Sequence, residues 1–519
     1  MMASSVPQSS AESRAASGLR GSQRWLLLAL ALLLLVGVAI RLYDLTDPPL
    51  DFHPVRQLRS AMIARGMYYR TLDDVEPWRQ QMAVRQAEGL ETLEPPILEW
   101  LTAQSYRLIG SEQVWVARVV SSLAWVAGAV ALYGLARRYA GAGALFSLAY
   151  MLLLPFAVQA SRSFQPDPLM VALTMAALNF LDRWFREDSP GWGSTLLAGT
   201  LGGLAVLVKL PAVFFLAGAF LGLALAQNRL LGLMRYGKAW VMATLFMVPA
   251  GLYYGSLLLV GGAGGGETWR FFVTSLLTSP RFYLDWLAFI LRLVGYTAFV
   301  GALTSLILLD RRGRGLVAGL LGGYVFYGLT FTYHIATHDY YSLPLIPVLA
   351  LGLAAPGQAL LDRFRAVVRE KRMLQVLAAG VALLAVLLPL RTARGILAGH
   401  DFRAEVGYWK ALGNTLENRS DRMAISHNYG YRLEYYGWVQ ASAWMSAEDL
   451  ELREILGQSG SEDSIEVVAE QLEGRSLFVV TILSDLDKLP VLKRYLETRP
   501  VFAQGDDYIV YDLRVVEGE

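Results

Sequence analysis

The sequence predicts a polytopic α-helical membrane protein with a small C-terminal soluble α/β domain, and three observations predict it. Of 519 residues, 55% are hydrophobic and 17% charged, whereas soluble domains carry about 25% charged residues. Apolar runs recur along residues 24–391, most of them near the roughly 20 residues that a spanning helix needs. Charge is also divided: residues 400–519 hold 12 Lys/Arg against 22 Asp/Glu, a balance of −10, and the remainder stands at +12. A basic membrane part and an acidic tail are different physical objects. The absence of cysteine excludes disulfides, thiolate catalysis and Cys-ligated zinc, and leaves the redox compartment open.

In chain order, residues 1–23 are rich in Ser and Ala, carry Arg14 and Arg20, and read as a disordered cytoplasmic tail. The run Trp25 to Ile40 suits a first span better than a signal peptide, because no small-residue cleavage site follows it. About eleven spans are expected, near 25–43, 113–135, 141–160, 168–186, 194–209, 211–228, 239–260, 285–309, 315–333, 343–361 and 373–391. Only Lys209-Leu210-Pro211 separates the fifth from the sixth. With the N-terminus in the cytoplasm, Arg137-Arg138, Arg183 to Glu187, Arg229 to Lys238, Asp310 to Arg314 and Asp362 to Arg372 all lie inside, as the positive-inside rule asks. An odd number of spans then puts loop 44–112 and residues 392–519 outside, in the expected setting of a bacterial plasma membrane.

In the first loop, His53 to Tyr69 places Arg56, Arg59 and Arg65 among Val55, Leu58, Met62 and Ile63. That pattern resembles an amphipathic helix lying in the interface. Helices are expected again at 76–88 and 97–108, with Glu94-Pro95-Pro96 as the break between them. Both a packing lid and an active-site cap fit this loop. In the tail, helices are expected at 402–417, 446–457, 463–473 and 489–498, and Ser446-Ala447-Glu448-Asp449 is a capping-box-like start. Strands are expected at 422–427, 476–482 and 508–514 from β-branched and aromatic content. The tail shows no glycine-rich phosphate loop and no metal-ligand cluster.

Five polar clusters fall at the expected outer ends of the spans. They are Asp51-Phe52-His53-Pro54-Val55-Arg56-Gln57, Glu91-Thr92-Leu93-Glu94-Pro95-Pro96, Arg162-Ser163-Phe164-Gln165-Pro166-Asp167-Pro168, Glu267-Thr268-Trp269-Arg270, and His334 with His338-Asp339-Tyr340-Tyr341. Charges near lipid are unfavourable, by roughly 2.5–3.5 kcal/mol each at a helix centre. The orientation used only inner charges, yet it gathers all five clusters on one face. Each has a bland alternative. Asp51 suits a loop cap, Asp167 an N-cap, Arg162 a snorkelling residue, and His53 and His338 ordinary interfacial histidines. Together they favour a site. Its carboxylates suit a general base or a divalent cation, its Arg and His a phosphate, and Trp269, Tyr340 and Tyr341 a sugar ring. A phosphate with a lipid tail and a sugar head meets all of these demands.

These motifs resemble the C-type glycosyltransferases, specifically glycosyltransferase family 39, with its protein O-mannosyltransferases and bacterial aminoarabinose transferases of lipid A. The resemblance covers about residues 40–360. It is carried by the Asp51 motif, Glu94-Pro95-Pro96 before Trp100-Leu101, Gly110 with Arg118, Ser161-Arg162 through Asp167-Pro168-Leu169-Met170, and His338 through Pro347. It implies transfer of a hexosyl or pentosyl group from a polyprenyl-phosphate carrier to an acceptor on the outer face. It also implies roles. Asp51 is the catalytic base and Asp167 supports the site. His53, Arg56, Gln57, Glu94, Arg162, Arg270, His338, Tyr340 and Tyr341 bind substrate, with Arg162 and His338 on the carrier phosphate. If a divalent cation (Mg or Mn) is used, Asp51, His53 and Asp167 are its candidate ligands. The sequence departs from the family in having His53 rather than a Glu after Asp51, and Glu94 where many bacterial members have Lys. A flippase of the lipid-linked sugar and a non-catalytic scaffold are the competing readings, and no nucleic-acid partner is expected. Transporters usually show paired repeats with broken helices at mid-membrane, and no matching halves are visible here.

Overall fold

The computed structural model describes residues 9–91, 93–233, 235–259, 272–368, 371–418, 421–446 and 464–514. Helix α1 (Ser9–Leu42) starts before the apolar run, so residues 9–23 continue a helix where a disordered tail was expected. A helix already nucleated by an apolar segment extends at little further free-energy cost. The first loop folds as α2 (Pro54–Tyr69), α3 (Pro77–Glu88) and α4 (Ile97–Ile109). The membrane part follows as α5 (Val114–Ala140), α6 (Ala144–Leu153), α7 (Pro155–Ser161), α8 (Asp167–Arg186), α9 (Trp192–Val208), α10 (Ala212–Ala226) and α11 (Gly237–Leu259). It continues with α12 (Pro280–Val294), α13 (Tyr296–Leu303), α14 (Arg311–Thr330), α15 (Thr332–Thr337), α16 (Leu345–Val368) and α17 (Arg372–Leu397).

Helices occupy every expected span, but fewer than eleven are long and apolar enough to cross a membrane alone. Among the described residues five segments qualify: Arg24–Leu42, Val114–Leu153, Gly237–Leu257, Asp339–Val367 and Arg372–Leu397. A sixth arises if Pro280–Val294 and Tyr296–Leu308, bent by 100°, count as one. The chain is a multi-pass membrane protein. The shortfall has a physical reason. Helix α8 buries most of its length among other helices, so it can carry polar residues that lipid would not tolerate. Segment 114–153 is itself a hairpin. Gly141 (φ 49) ends α5, and the Trp125 indole N–H donates to the Met151 carbonyl at 2.9 Å.

Helix α2 is not interfacial. Leu58, Arg59, Ser60, Ala61, Met62, Ala64 and Arg65 are all buried, because the tail closes over the loop. Leu58, Met62, Tyr68 and Tyr106 of the loop share one apolar core with Trp409, Leu433, Tyr435 and Val479 of the tail. Arg65 pairs with Glu112 at 3.0 Å and lies 3.8 Å from the Tyr435 ring and 4.1 Å from Trp438.

In the tail, helix α18 (Arg403–Thr415) precedes a five-stranded sheet of order β2-β1-β3-β5-β4. The strands are β1 (Arg422–Ile425), β2 (Ala441–Ala443), β3 (Leu477–Val480), β4 (Val501–Gln504) and β5 (Ile509–Asp512), and α19 (Tyr431–Gly437) links β1 to β2. β1 pairs in parallel with β2 and β3, while β5 pairs antiparallel with β3 and β4. The sequence reading missed β2 and β4. Ala-Ser-Ala carries no strand signal, and β4 lies at the sheet edge behind Pro500. Helices form at Ile465–Gln471 and Pro490–Leu496. The expected helix at 446–457, apart from Ser446, lies outside the described residues.

Candidate active site

Segment 43–53, between α1 and α2, is shaped by two buried arginines. Arg162 donates to the carbonyls of Tyr43 (2.6 Å) and Asp44 (2.9 Å). Arg118, on α5, donates to the carbonyls of Leu45 and Pro48, both at 3.3 Å, and to Asp51 Oδ1 at 2.9 Å. The Asp51 carboxylate is 16% exposed and rests against Arg118, which is only 1% exposed. Gln57 is buried, donating to Phe52 O at 2.5 Å and accepting from Phe164 N at 3.0 Å, so it fastens the first cluster to the third. Arg162 and Gln57, both expected to touch substrate, instead hold backbone.

The remaining residues form a cluster of charged and aromatic side chains. His53 Nε2 lies 2.6 Å from Asp339 Oδ1, and Arg56 donates to Glu94 at 2.7 Å. Burial raises the proton affinity of Glu94, but Arg56 and Lys209 outweigh it, and the carboxyl is held below its usual range. Asp167 accepts from Lys209 Nζ at 2.9 and 2.8 Å, and both side chains are buried. The same ammonium stands 5.0 Å from the Tyr340 ring and 5.3 Å from Tyr341. His338 stacks over His53 at 6.0 Å, and His334 over Tyr341 at 4.8 Å. Burial, then the positive groups nearby, pushes His334 down to about 3 and His338 down to about 4.

The structure thus brings His53, Arg56, Glu94, Asp167, His338, Tyr340 and Tyr341 together, with Asp51 on the flank. Arg270 and Trp269 lie outside the described residues. Lys209 was missed as a site residue, while Asp339 stood in the fifth cluster without a role of its own and Arg118 only among the residues that carry the resemblance. The signal for Lys209 was present: an ionisable residue between two apolar runs marks function by default. Asp51, His53 and Asp167 do not converge as cation ligands, since each has its own partner in Arg118, Asp339 and Lys209. Among the described residues no three His, Asp or Glu side chains gather as a metal set.

An apolar groove of about 850 Å³ lies between α10 and α14. At its site end Phe214 lies 5.7 Å from Tyr327, which stacks on Tyr341 at 5.9 Å. Arg311 and Arg314 line its other end. The helices approach closely because glycines face each other. A Cβ on Gly218 would stand 2.2 Å from the Gly319 carbonyl oxygen, and one on Gly222 2.0 Å from that of Gly315.

Residues 93–254 match the family model of dolichyl-phosphate-mannose-protein mannosyltransferase. No curated protein matches the sequence. The crystal structure of ArnT from Cupriavidus metallidurans bound to undecaprenyl phosphate is similar, with TM-score 0.57 and 17% identity over 94% of this chain and 97% of that one. The apo oligosaccharyltransferase of Archaeoglobus fulgidus is similar with TM-score 0.56 and 14% identity, over 91% of this chain and 71% of that one. At such identities the likeness is one of fold. The motifs around Asp51, Glu94 and His338, the matched family model and these shared architectures converge: this multi-pass chain has the C-type membrane glycosyltransferase fold.

Proposed function

We propose that the protein transfers a sugar from a polyprenyl-phosphate carrier to an acceptor at the extracytoplasmic membrane face. The observation that carries this reading is the junction of a cationic, aromatic cluster with an apolar groove through the ring contacts of Tyr341, Tyr327 and Phe214. A phosphate head and a long apolar tail are the two halves of one molecule that such a junction accepts. Undecaprenyl phosphate, bound in the ArnT structure, is of that class.

In the proposed mechanism Asp51 is the general base that takes the proton of the acceptor hydroxyl as the acceptor oxygen attacks the anomeric carbon. Arg118 orients its carboxylate at 2.9 Å. Lys209 and Arg56 hold the carrier phosphate. Asp167 holds the Lys209 ammonium in position through both carboxylate oxygens. Tyr340 and Tyr341 pack against the Lys209 ammonium and help fix it. Arg162 acts indirectly, by fixing the backbone before Asp51.

The test is Asp51→Asn in the full chain, reconstituted with a polyprenyl-phosphate sugar. The expected result is loss of transfer by at least about 100-fold, as for removal of a general base, with carrier binding retained. Unchanged transfer removes Asp51 from the mechanism. Movement of carrier across vesicles without any glycosyl product identifies a flippase instead.

A further inference from the structure

Segment 43–53 carries Asp51, contains neither helix nor strand, and is held from two sides. From the helix bundle, Arg118 and Arg162 take its carbonyls, and Gln159 Nε2 donates to the Asp51 carbonyl at 3.1 Å. From the opposite side, the start of the tail takes its side chains. Arg403 donates to Asp44 Oδ1 at 2.5 Å, to Thr46 Oγ1 at 3.3 Å and to Asp47 Oδ1 at 3.5 Å. The Phe402 N–H donates to the same Asp47 oxygen at 2.9 Å. Asp401 accepts from Arg403 Nη1 at 3.0 Å and so fixes the guanidinium. Asp47 is buried, and Leu50 enters the apolar core that Trp409 and Leu412 of α18 share. Asp44 is left-handed (φ 48), a conformation that a non-glycine residue keeps only where its surroundings impose it.

Helix chemistry does not account for Arg403. It is the first residue of α18, where a cation opposes the helix dipole. A residue that breaks a local rule points to a role elsewhere in the fold, and the contacts with residues 44–47 are that role. We propose that Arg403 is a positioning residue for the reaction: with Asp44 and Asp47 it straps segment 43–51 so that the Asp51 carboxylate stands where the acceptor hydroxyl gives up its proton. The tail is thereby part of the scaffold of the site. This inference rests on the glycosyltransferase reading above. Arg403 acts through the backbone of the segment, and no proton or bond passes through it. A misplacement of about 1 Å at a reacting group costs about 100-fold in rate. An ion pair whose arginine is 44% exposed adds little to stability. The two effects therefore separate: the strap acts on kcat and leaves the unfolding temperature in place.

The experiment compares reconstituted full-length wild type, R403A, R403K, D44N and the R403A/D44N double variant. K493A serves as a control in the tail, since Lys493 pairs with Asp487 and not with the segment. Four quantities are read: kcat and KM for transfer from a polyprenyl-phosphate sugar, binding of undecaprenyl phosphate, amide exchange across residues 43–53, and unfolding temperature. R403A is expected to lose kcat by about tenfold to 100-fold, with KM, undecaprenyl phosphate binding and unfolding temperature as in wild type. Its amide exchange should quicken across residues 43–53. R403K should recover part of kcat, because an ammonium reaches one carboxylate but lacks the fork that holds two. The double variant should be no slower than R403A, because both changes remove one contact. K493A should match wild type throughout. An unchanged kcat in R403A overturns the proposal, as does a lost kcat with exchange across residues 43–53 unaltered. A kcat loss matched by loss of folded protein overturns it too, since the contact is then structural only. Quickened exchange in R403A beside a wild type that transfers nothing refutes the enzyme reading and leaves the strap standing.

Discussion

Lys209→Met tests the centre of the site most directly. Lys209 and Asp167 are 6% and 3% exposed, and the ammonium reaches both carboxylate oxygens within 3 Å. Removing one partner of a buried pair leaves an uncompensated charge and destabilises by about 3–5 kcal/mol. Asp167→Asn should have a comparable effect, because it strands the ammonium beneath Tyr340 and Tyr341. The double variant, with both charges gone, should be less damaged than the sum of the singles, with a coupling of about 2–3 kcal/mol as for contacting residues. The assay is reversible unfolding of the three variants in mixed detergent micelles, with polyprenyl monophosphate binding measured alongside. Lys209→Met should weaken that binding at least about tenfold. Single variants that each lose under about 1 kcal/mol, or strictly additive losses, refute the claim that this pair is a buried, coupled element.

Three further outcomes follow from the geometry. Arg65→Ala should lower stability by about 3 kcal/mol or more through the stranded Glu112, and speed amide exchange in α19, where Tyr435 packs on Arg65; unchanged exchange removes Arg65 as the clasp between loop and tail. Gly218→Ala should drive α10 and α14 apart, since its Cβ meets the Gly319 carbonyl oxygen at 2.2 Å; overpacking of this kind costs about 1–3 kcal/mol, read as a lower unfolding temperature and weaker carrier binding. Acidification should destabilise the fold through His334 and His338, whose folded values near 3 and 4 lie below the ordinary imidazole value. The unfolded chain binds protons first, so this contribution is complete above about pH 6.5 and is lost as pH falls, through about 4 for His338 and about 3 for His334. Unfolding temperature against pH should flatten over that window in His338→Gln.

The proposed sidedness explains why the site residues are scattered in sequence. Asp51, Glu94, Asp167, Lys209 and His338 each lie where a helix begins, ends or approaches its end. Polar groups are excluded from lipid-facing stretches, so they collect at those ends.

Hydropathy and charge along the chain were enough for the membrane class, most helix positions and the acidic α/β tail, because both are local properties of a chain in lipid. Residue type and order pointed to Asp51, His53 and His338. Their partners came from how the helices pack. Packing set Arg118 against Asp51, Asp339 against His53 and Lys209 against Asp167, joining residues separated by 67, 286 and 42 positions. It turned Arg162 inward to backbone carbonyls and buried α2, whose arginines had read as interfacial. Pairing across such distances depends on which helices pack together, and no local pattern encodes that. The residue types at the site were therefore legible in the sequence, and the division of labour among them was not.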